Sequence, residues 1–253
     1  MHRGIVYASL AYVVWGLFPL YFQLLTAVSP VEIIAHRTLW SLLFLLGLLV
    51  VRRQLAWVRQ VVRQPRVLRV FALSALLLAG NWLVYVWAVT NGQVLESSLG
   101  YFMLPLVSVA LGTVFLHERP RPGQWLAVGI AAAGVAWLTW QTGRLPWAAL
   151  ALALSFGFYG LIRKQAPVAA LPGLVVETWL LLPLALAWLY LHPAAQSSQP
   201  AFWSDSQALW LAAAGPITLV PLLCFNAAAR HLPYATLGFL QYLAPTLVLL
   251  LGR

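Results

Sequence analysis

The chain has 253 residues, of which 62% are hydrophobic and only 8% charged, and its mean hydropathy is +0.86; soluble domains carry roughly a quarter charged residues. The longest gap between apolar runs, His192 to Gln207, is too short to fold as a separate core. A formal charge of +10 does not mark a nucleic-acid binder here, because the basic residues lie between apolar runs instead of forming one patch with interleaved aromatics.

Windows of about 20 residues predict nine membrane-spanning helices, near 4–25, 31–51, 70–90, 96–116, 123–140, 146–163, 173–191, 208–228 and 234–251. Barrel strands are excluded because the apolar runs are continuous and do not alternate. Met1-His2-Arg3 before the first run is reminiscent of a signal peptide, but that run is longer than an h-region and further spans follow directly, so it is taken as span one.

Span two opens on Pro30-Val31-Glu32-Ile33-Ile34-Ala35-His36-Arg37-Thr38-Leu39-Trp40. On a helix Glu32 and His36 share a face, and Arg37 points about 100° away. An ionisable group at membrane depth usually faces a partner or a water-filled cavity. Arg37 is therefore expected either to pair with Glu96, at the outer end of span four, or to enter a cavity and meet an anionic group. Glu32, closer to the boundary, is expected to be interfacial. After span two, Leu55–Arg63 places arginines four apart with apolar residues between them, the pattern of a short interfacial helix on anionic lipid that Pro65 ends; its role is read as a topology anchor.

Farther along, Asn81, Trp82, Tyr85, Tyr101, Tyr159, Asn226, Gln241 and Tyr242 put amides, phenols and an indole inside spans, with Tyr85 on the face of Asn81. These groups suit either an apolar cavity for an amphipathic solute or hydrogen bonding between helices. Glu177, early in span seven, is read as a proton-coupling carboxylate or as a cap near a helix start. Pro19, Pro105, Pro216, Pro221 and Pro245 free backbone carbonyls within spans. Gly129 and Ala133 have the spacing that lets helices pack closely. Cys224, the only cysteine, lies in an apolar run and reads as a small core residue.

If nine spans alternate, Arg3, Arg52, Arg53, Arg59, Arg63, Arg66, Arg69, Arg119, Arg121, Arg163, Lys164 and Arg230 fall on one side, and only Arg144 and Arg253 on the other. That partition predicts a cytoplasmic N-terminus.

Internal echoes organise the spans. Ser98-Leu99-Gly100-Tyr101-Phe102 is answered by Thr236-Leu237-Gly238-Phe239-Leu240, each followed by a proline, and Trp15-Gly16-Leu17-Phe18 by Phe156-Gly157-Phe158-Tyr159. Ser29-Pro30 and Leu171-Pro172 both precede a span. All offsets lie near 140 residues, or five spans. An odd number of spans per copy sends the second copy into the membrane from the opposite face, which makes the repeat inverted. The first repeat is 1–144 and the second 145–253, with four helices instead of five. A truncated version of a longer parent is the expectation that follows.

Several of these motifs carry a family likeness: Glu32-Ile33-Ile34-Ala35-His36-Arg37, Gly80-Asn81-Trp82 with Trp87-Ala88-Val89, Ser98–Phe102 with Pro105, His117-Glu118-Arg119, Phe158-Tyr159-Gly160-Leu161 with Arg163-Lys164, and Leu237-Gly238-Phe239 with Gln241-Tyr242 and Pro245. In order from Gly4 to Leu251 they resemble the RarD group of EamA-type permeases, in the drug/metabolite transporter superfamily. The resemblance implies an all-α polytopic fold of ten helices in two inverted five-helix repeats, here with the tenth missing. It also implies a cavity lined by helices one to four and six to nine, and residence in the bacterial cytoplasmic (inner) membrane. Leu104 and Ser108 depart from that pattern, where Asn is common.

No H-E-x-x-H, G-x-S-x-G, Walker A loop or metal-spaced Cys/His cluster occurs, so the expectation is no enzyme, no metal and no cofactor. A secondary transporter exporting a small amphipathic metabolite or drug-like solute is the leading reading. The alternatives are a non-transporting scaffold or receptor and a passive channel. Its partners are a small-molecule solute, the lipid bilayer and, as an open expectation, a second copy in a homodimer.

Overall fold

The computed structural model describes residues 2–25, 28–91, 93–143, 146–192, 197 and 206–251, and every regular element among them is helical. Arg144 and Arg253, on the sparse side of the charge partition, lie outside the described residues, as does most of the connection 192–207. The helices are α1 (His2–Gly16), α2 (Phe18–Phe22, extended by a 3-10 turn), α3 (Pro30–Val51), α4 (Leu55–Val62), α5 (Pro65–Thr90), α6 (Val94–Leu116), α7 (Pro122–Thr142), α8 (Trp147–Gln165), α9 (Ala170–Leu191), α10 (Ser206–His231), α11 (Tyr234–Leu240) and α12 (Leu243–Leu251).

Six described helical segments are long and apolar enough to cross a membrane: His2–Leu25, Pro30–Val51, Pro65–Ala88, Ser98–Leu116, Ala170–Leu191 and Ser206–His231. The protein is thus a polytopic, all-helical membrane protein. The other three expected spans fall on α7, α8 and the pair α11 and α12.

Local chemistry accounts for several boundaries. Ser29 caps α3 by accepting the Glu32 N–H at 3.2 Å, with Pro30 at the first helical position, where its missing N–H costs nothing. The first span breaks at Leu17 just before Pro19, and the ninth at Gln241–Tyr242 just before Pro245, because each proline removes a donor from the ladder. Pro65 starts α5 instead of ending α4, which stops at Val62. Pro105, Pro183, Pro216 and Pro221 stay inside their helices. A Cβ on Gly129 would meet nothing within 4 Å, so the close packing expected there is not realised among the described residues.

Two compact units emerge, and neither is one half of the sequence. The first comprises 1–16, 77–165 and 224–253, and the second 17–76 and 166–223. In the first, α6 packs on α7, α8 and α11, and α1 on α11 and α12. In the second, α3 and α4 pack on α9. The helix starts keep a constant offset: 30 and 170 for α3 and α9, 65 and 206 for α5 and α10, 94 and 234 for α6 and α11.

In the first unit a carboxylate and an ammonium secure the corner between α10 and α11. His117 closes α6 in the left-handed region at φ 52°, and the Glu118 N–H returns to the Gly112 carbonyl at 3.0 Å. The Glu118 carboxylate accepts the N–H groups of Tyr234 at 2.7 Å and Ala235 at 3.0 Å, at the positive end of α11. Lys164 lies 3.7 Å from Glu118 and donates to the carbonyls of Ala229, at 3.1 Å, and Leu232, near the negative end of α10. Each charge thus meets the helix end that favours it.

Close helix approach secures the second unit. A Cβ on Gly215 would lie 2.5 Å from the Ser41 amide nitrogen and 2.5 Å from the Trp40 carbonyl carbon, and Ser41 Oγ donates to the Gly215 carbonyl at 3.3 Å. Backbone cannot yield as a flexible side chain does. Gly215→Ala is expected to cost about 1–3 kcal/mol through overpacking, visible as a lower unfolding midpoint in detergent. Glu118→Ala should cost a similar ~2–3 kcal/mol by removing charge-assisted bonds, with Glu118→Gln losing less in the same assay because it keeps one acceptor.

Candidate functional site

In the second unit, the head of α3 is buried. Glu32 is 2% exposed, His36 5% and Arg37 8%. The interfacial placement expected for Glu32 is corrected: Oε1 accepts the Ser197 N–H at 2.7 Å, holding the stretch before α10 onto α3. Burial without such a donor would cost a carboxylate several kcal/mol. Glu177 is 1% exposed and is the eighth residue of α9, beyond the first turn, so it is no helix cap. Its Oε1 is hydrogen-bonded to Ser74 Oγ on α5, and the same hydroxyl lies 3.1 Å from the Phe71 carbonyl.

In the first unit, the chemistry gathers around Phe225 on α10. Its ring stacks on Tyr159 at 6.3 Å and 15°, and lies 5.2 Å from Phe156, 5.7 Å from Trp15 and 6.4 Å from Tyr12. Such pairs add about 0.5–1.5 kcal/mol beyond area burial. Next to Phe225, Asn226 Nδ2 donates to Tyr159 Oη at 3.0 Å, and Tyr159 Oη lies 3.3 Å from Asn226 Oδ1. An asparagine side chain offers four hydrogen-bond positions, and this pair uses two. Tyr159, Phe225 and Asn226 are buried, whereas Trp15, Ser155 and Phe156 keep part of their surface open. One turn below Tyr159, Asn81 Nδ2 donates to Ser155 Oγ and to the Leu152 carbonyl, both at 2.9 Å, tying α5 to α8.

The remaining candidates separate from this group. Tyr85 does not join Asn81 in the core; it is 37% exposed and meets Tyr101 edge-on at 6.3 Å. Trp82 is half-buried. Gln241 is buried at the break between α11 and α12, and Tyr242 beside it donates to the Phe102 carbonyl at 3.4 Å, with its ring 6.3 Å from Phe102. Glu96 accepts the Ala148 N–H at 3.3 Å, near the start of α8.

Phe225, Tyr12 and the aromatic role of Trp15 and Phe156 were missed from sequence, since thirteen Trp and eleven Phe hide any one of them. A signal was present: Trp15 and Phe156 are echoes in the repeat, and their rings meet at 5.7 Å and 79°. Glu118 was quoted only for its likeness, and its role in the fold needed the contact with α11.

Comparison with known proteins gives this geometry a context. The profile of the EamA-like transporter family matches residues 2–140. An uncharacterized transporter of Pseudomonas aeruginosa is 62% identical over 250 residues, covering 99% of this chain and 84% of the relative. The RarD protein of Escherichia coli K12 is 46% identical over 250 residues, with 99% and 84% covered. A chloramphenicol-sensitive protein RarD of Pseudomonas aeruginosa is 36% identical over 258 residues, again with 99% and 84% covered. A solved structure, described as the crystal structure of a protein, superposes with a TM-score of 0.74 over 99% of this chain and 87% of its own, at 21% identity, which speaks to the fold alone. With a family profile across more than half its length and relatives above 30% identity along nearly all of it, the chain belongs to the RarD-type permeases of the EamA-like transporter family.

Proposed function

We propose that this membrane transporter is a secondary exporter of a small amphipathic metabolite or drug-like solute, working by alternating access between inverted repeats 1–144 and 145–253. Nine spans, a cytoplasmic N-terminus and the bacterial inner membrane complete the proposal. The inversion is supported by the helix starts at a constant offset of 140 or 141 residues and by contacts between repeat mates. Trp15 touches Phe156, Phe102 touches Tyr242, and α3 packs on α9. Residues beside a pseudo-twofold axis meet their own mates in this way.

The observation that carries the functional proposal is the Tyr159–Asn226 pair set behind the partly open faces of Trp15 and Phe156. Apolar rings with a few convergent polar groups are what an amphipathic organic solute requires. The solute stacks on the rings and turns its polar end to the amide and phenol. Glu177 is the proposed coupling position. One Ser74 proton serves two acceptors, the Phe71 carbonyl and the Glu177 carboxylate, so protonating Glu177 redirects the hydroxyl.

Uptake into proteoliposomes, screened over amino acids, nucleosides and amphiphilic drugs with and without a proton gradient, tests the proposal. A saturable, gradient-dependent flux is expected. Asn226→Leu and Tyr159→Phe should each raise KM roughly 3–30-fold, the equivalent of about 0.6–2 kcal/mol for one hydrogen bond at membrane depth. Glu177→Gln should flatten the pH dependence and leave binding intact. Flux that neither saturates nor responds to a gradient would point to a passive channel, and no flux from a well-folded protein to a scaffold.

A further inference from the structure

The segment Arg52–Arg69 holds six arginines and no acidic residue, and no Asp or Glu occurs between Glu32 and Glu96. Arg53 ends α3 in the left-handed region, at φ 52°, with the Gln54 N–H donating back to the Leu49 carbonyl at 2.9 Å. A bulky side chain is uncommon in that conformation. The turn presents Arg52 and Arg53 side by side, both exposed, and α4 begins two residues later.

α4 has two different faces. Inward, Val58 and Val61 join a core with Val67, Leu68 and Phe71 of α5 and Val176 and Leu180 of α9. Outward, Leu55, Trp57 and Val62 are exposed beside Val51, with Trp57 at 49%, and Arg63 and Arg66 follow, also exposed. Exposed indole and aliphatic groups among guanidinium groups match the boundary between headgroups and acyl chains.

We propose that α4 and its flanking turns form a binding site for anionic phospholipids, selected over zwitterionic ones by their headgroup phosphate and net charge. The occupant follows from the two kinds of surface together. Phosphate oxygens satisfy the guanidinium groups, and an acyl chain covers Leu55, Trp57 and Val62. Soluble phosphate or an acidic protein segment meets only the first requirement. The inner face of α4 shares its core with Val176, next to Glu177, so an occupied site also steadies the packing around that carboxylate. The inference depends on the chain being a membrane protein and not on its transport activity.

The test uses the full chain in nanodiscs of phosphatidylcholine containing equal fractions of either brominated phosphatidylglycerol or brominated phosphatidylcholine. The Trp57 contribution to fluorescence is taken as the difference from Trp57→Phe. Stronger quenching by the brominated anionic lipid is expected. The preference should fall roughly fivefold per neutralised arginine in Arg63→Gln and Arg66→Gln, and survive in Arg63→Lys and Arg66→Lys. If a Gln variant is not recovered folded, the unmodified chain in about 0.5 M salt, where screening acts over roughly 4 Å, should lose the preference instead. Equal quenching by both lipids, or a preference that outlasts both neutralisation and salt, overturns the proposal.

Discussion

Inside a bilayer no water is at hand to satisfy a polar group, so each must find its partner within the protein at the risk of several kcal/mol. With so few polar side chains in this sequence, their pairings decide which helices are joined. Ser74 and Glu177 tie α5 to α9, and Ser41 and the Gly215 carbonyl tie α3 to α10. Asn81 ties α5 to α8, Tyr159 and Asn226 tie α8 to α10, and the Tyr12 hydroxyl reaches the Leu237 carbonyl of α11 at 3.0 Å. Apolar contact gives no such selectivity, because lipid tails are as apolar as leucine.

That asymmetry explains what was legible in the residues. Hydropathy locates the spans, since length and apolar content are properties of one segment. Helix rotation is a property of two, and in helices apolar all round the pattern says little about it. Tyr85 sits one turn from Asn81 yet comes to the surface, while Asn81 is held by α8. Glu32 lies near the head of α3, yet Ser197 buries it, a contact 165 residues away that spacing within α3 does not reveal. Tyr159 and Asn226 stood out as polar groups in apolar runs; the ring of Phe225 between their helices did not. Gly129 had a packing motif's spacing and no partner helix close to it.

Internal echoes carried information that composition did not. Trp15 and Phe156 occupy matching places in two copies and meet ring to ring, and the same holds for Phe102 and Tyr242. Arg37 and Glu177 are also 140 residues apart, each the eighth residue of its helix. Mates with opposite charge show that the copies have diverged in chemistry while keeping a common plan, as a transporter with distinct inner and outer faces requires.

Inversion of the repeats is the central claim, and it can be read from two exposed mates: Ser29 and Ala169, the residues that precede α3 and α9. In a Cys224→Ser background, Ser29→Cys and Ala169→Cys would be labelled in intact cells and in inverted vesicles with a membrane-impermeant maleimide. The account predicts that Cys at 29 reacts from outside and Cys at 169 from the cytoplasmic face. Labelling of both from the same face would contradict it.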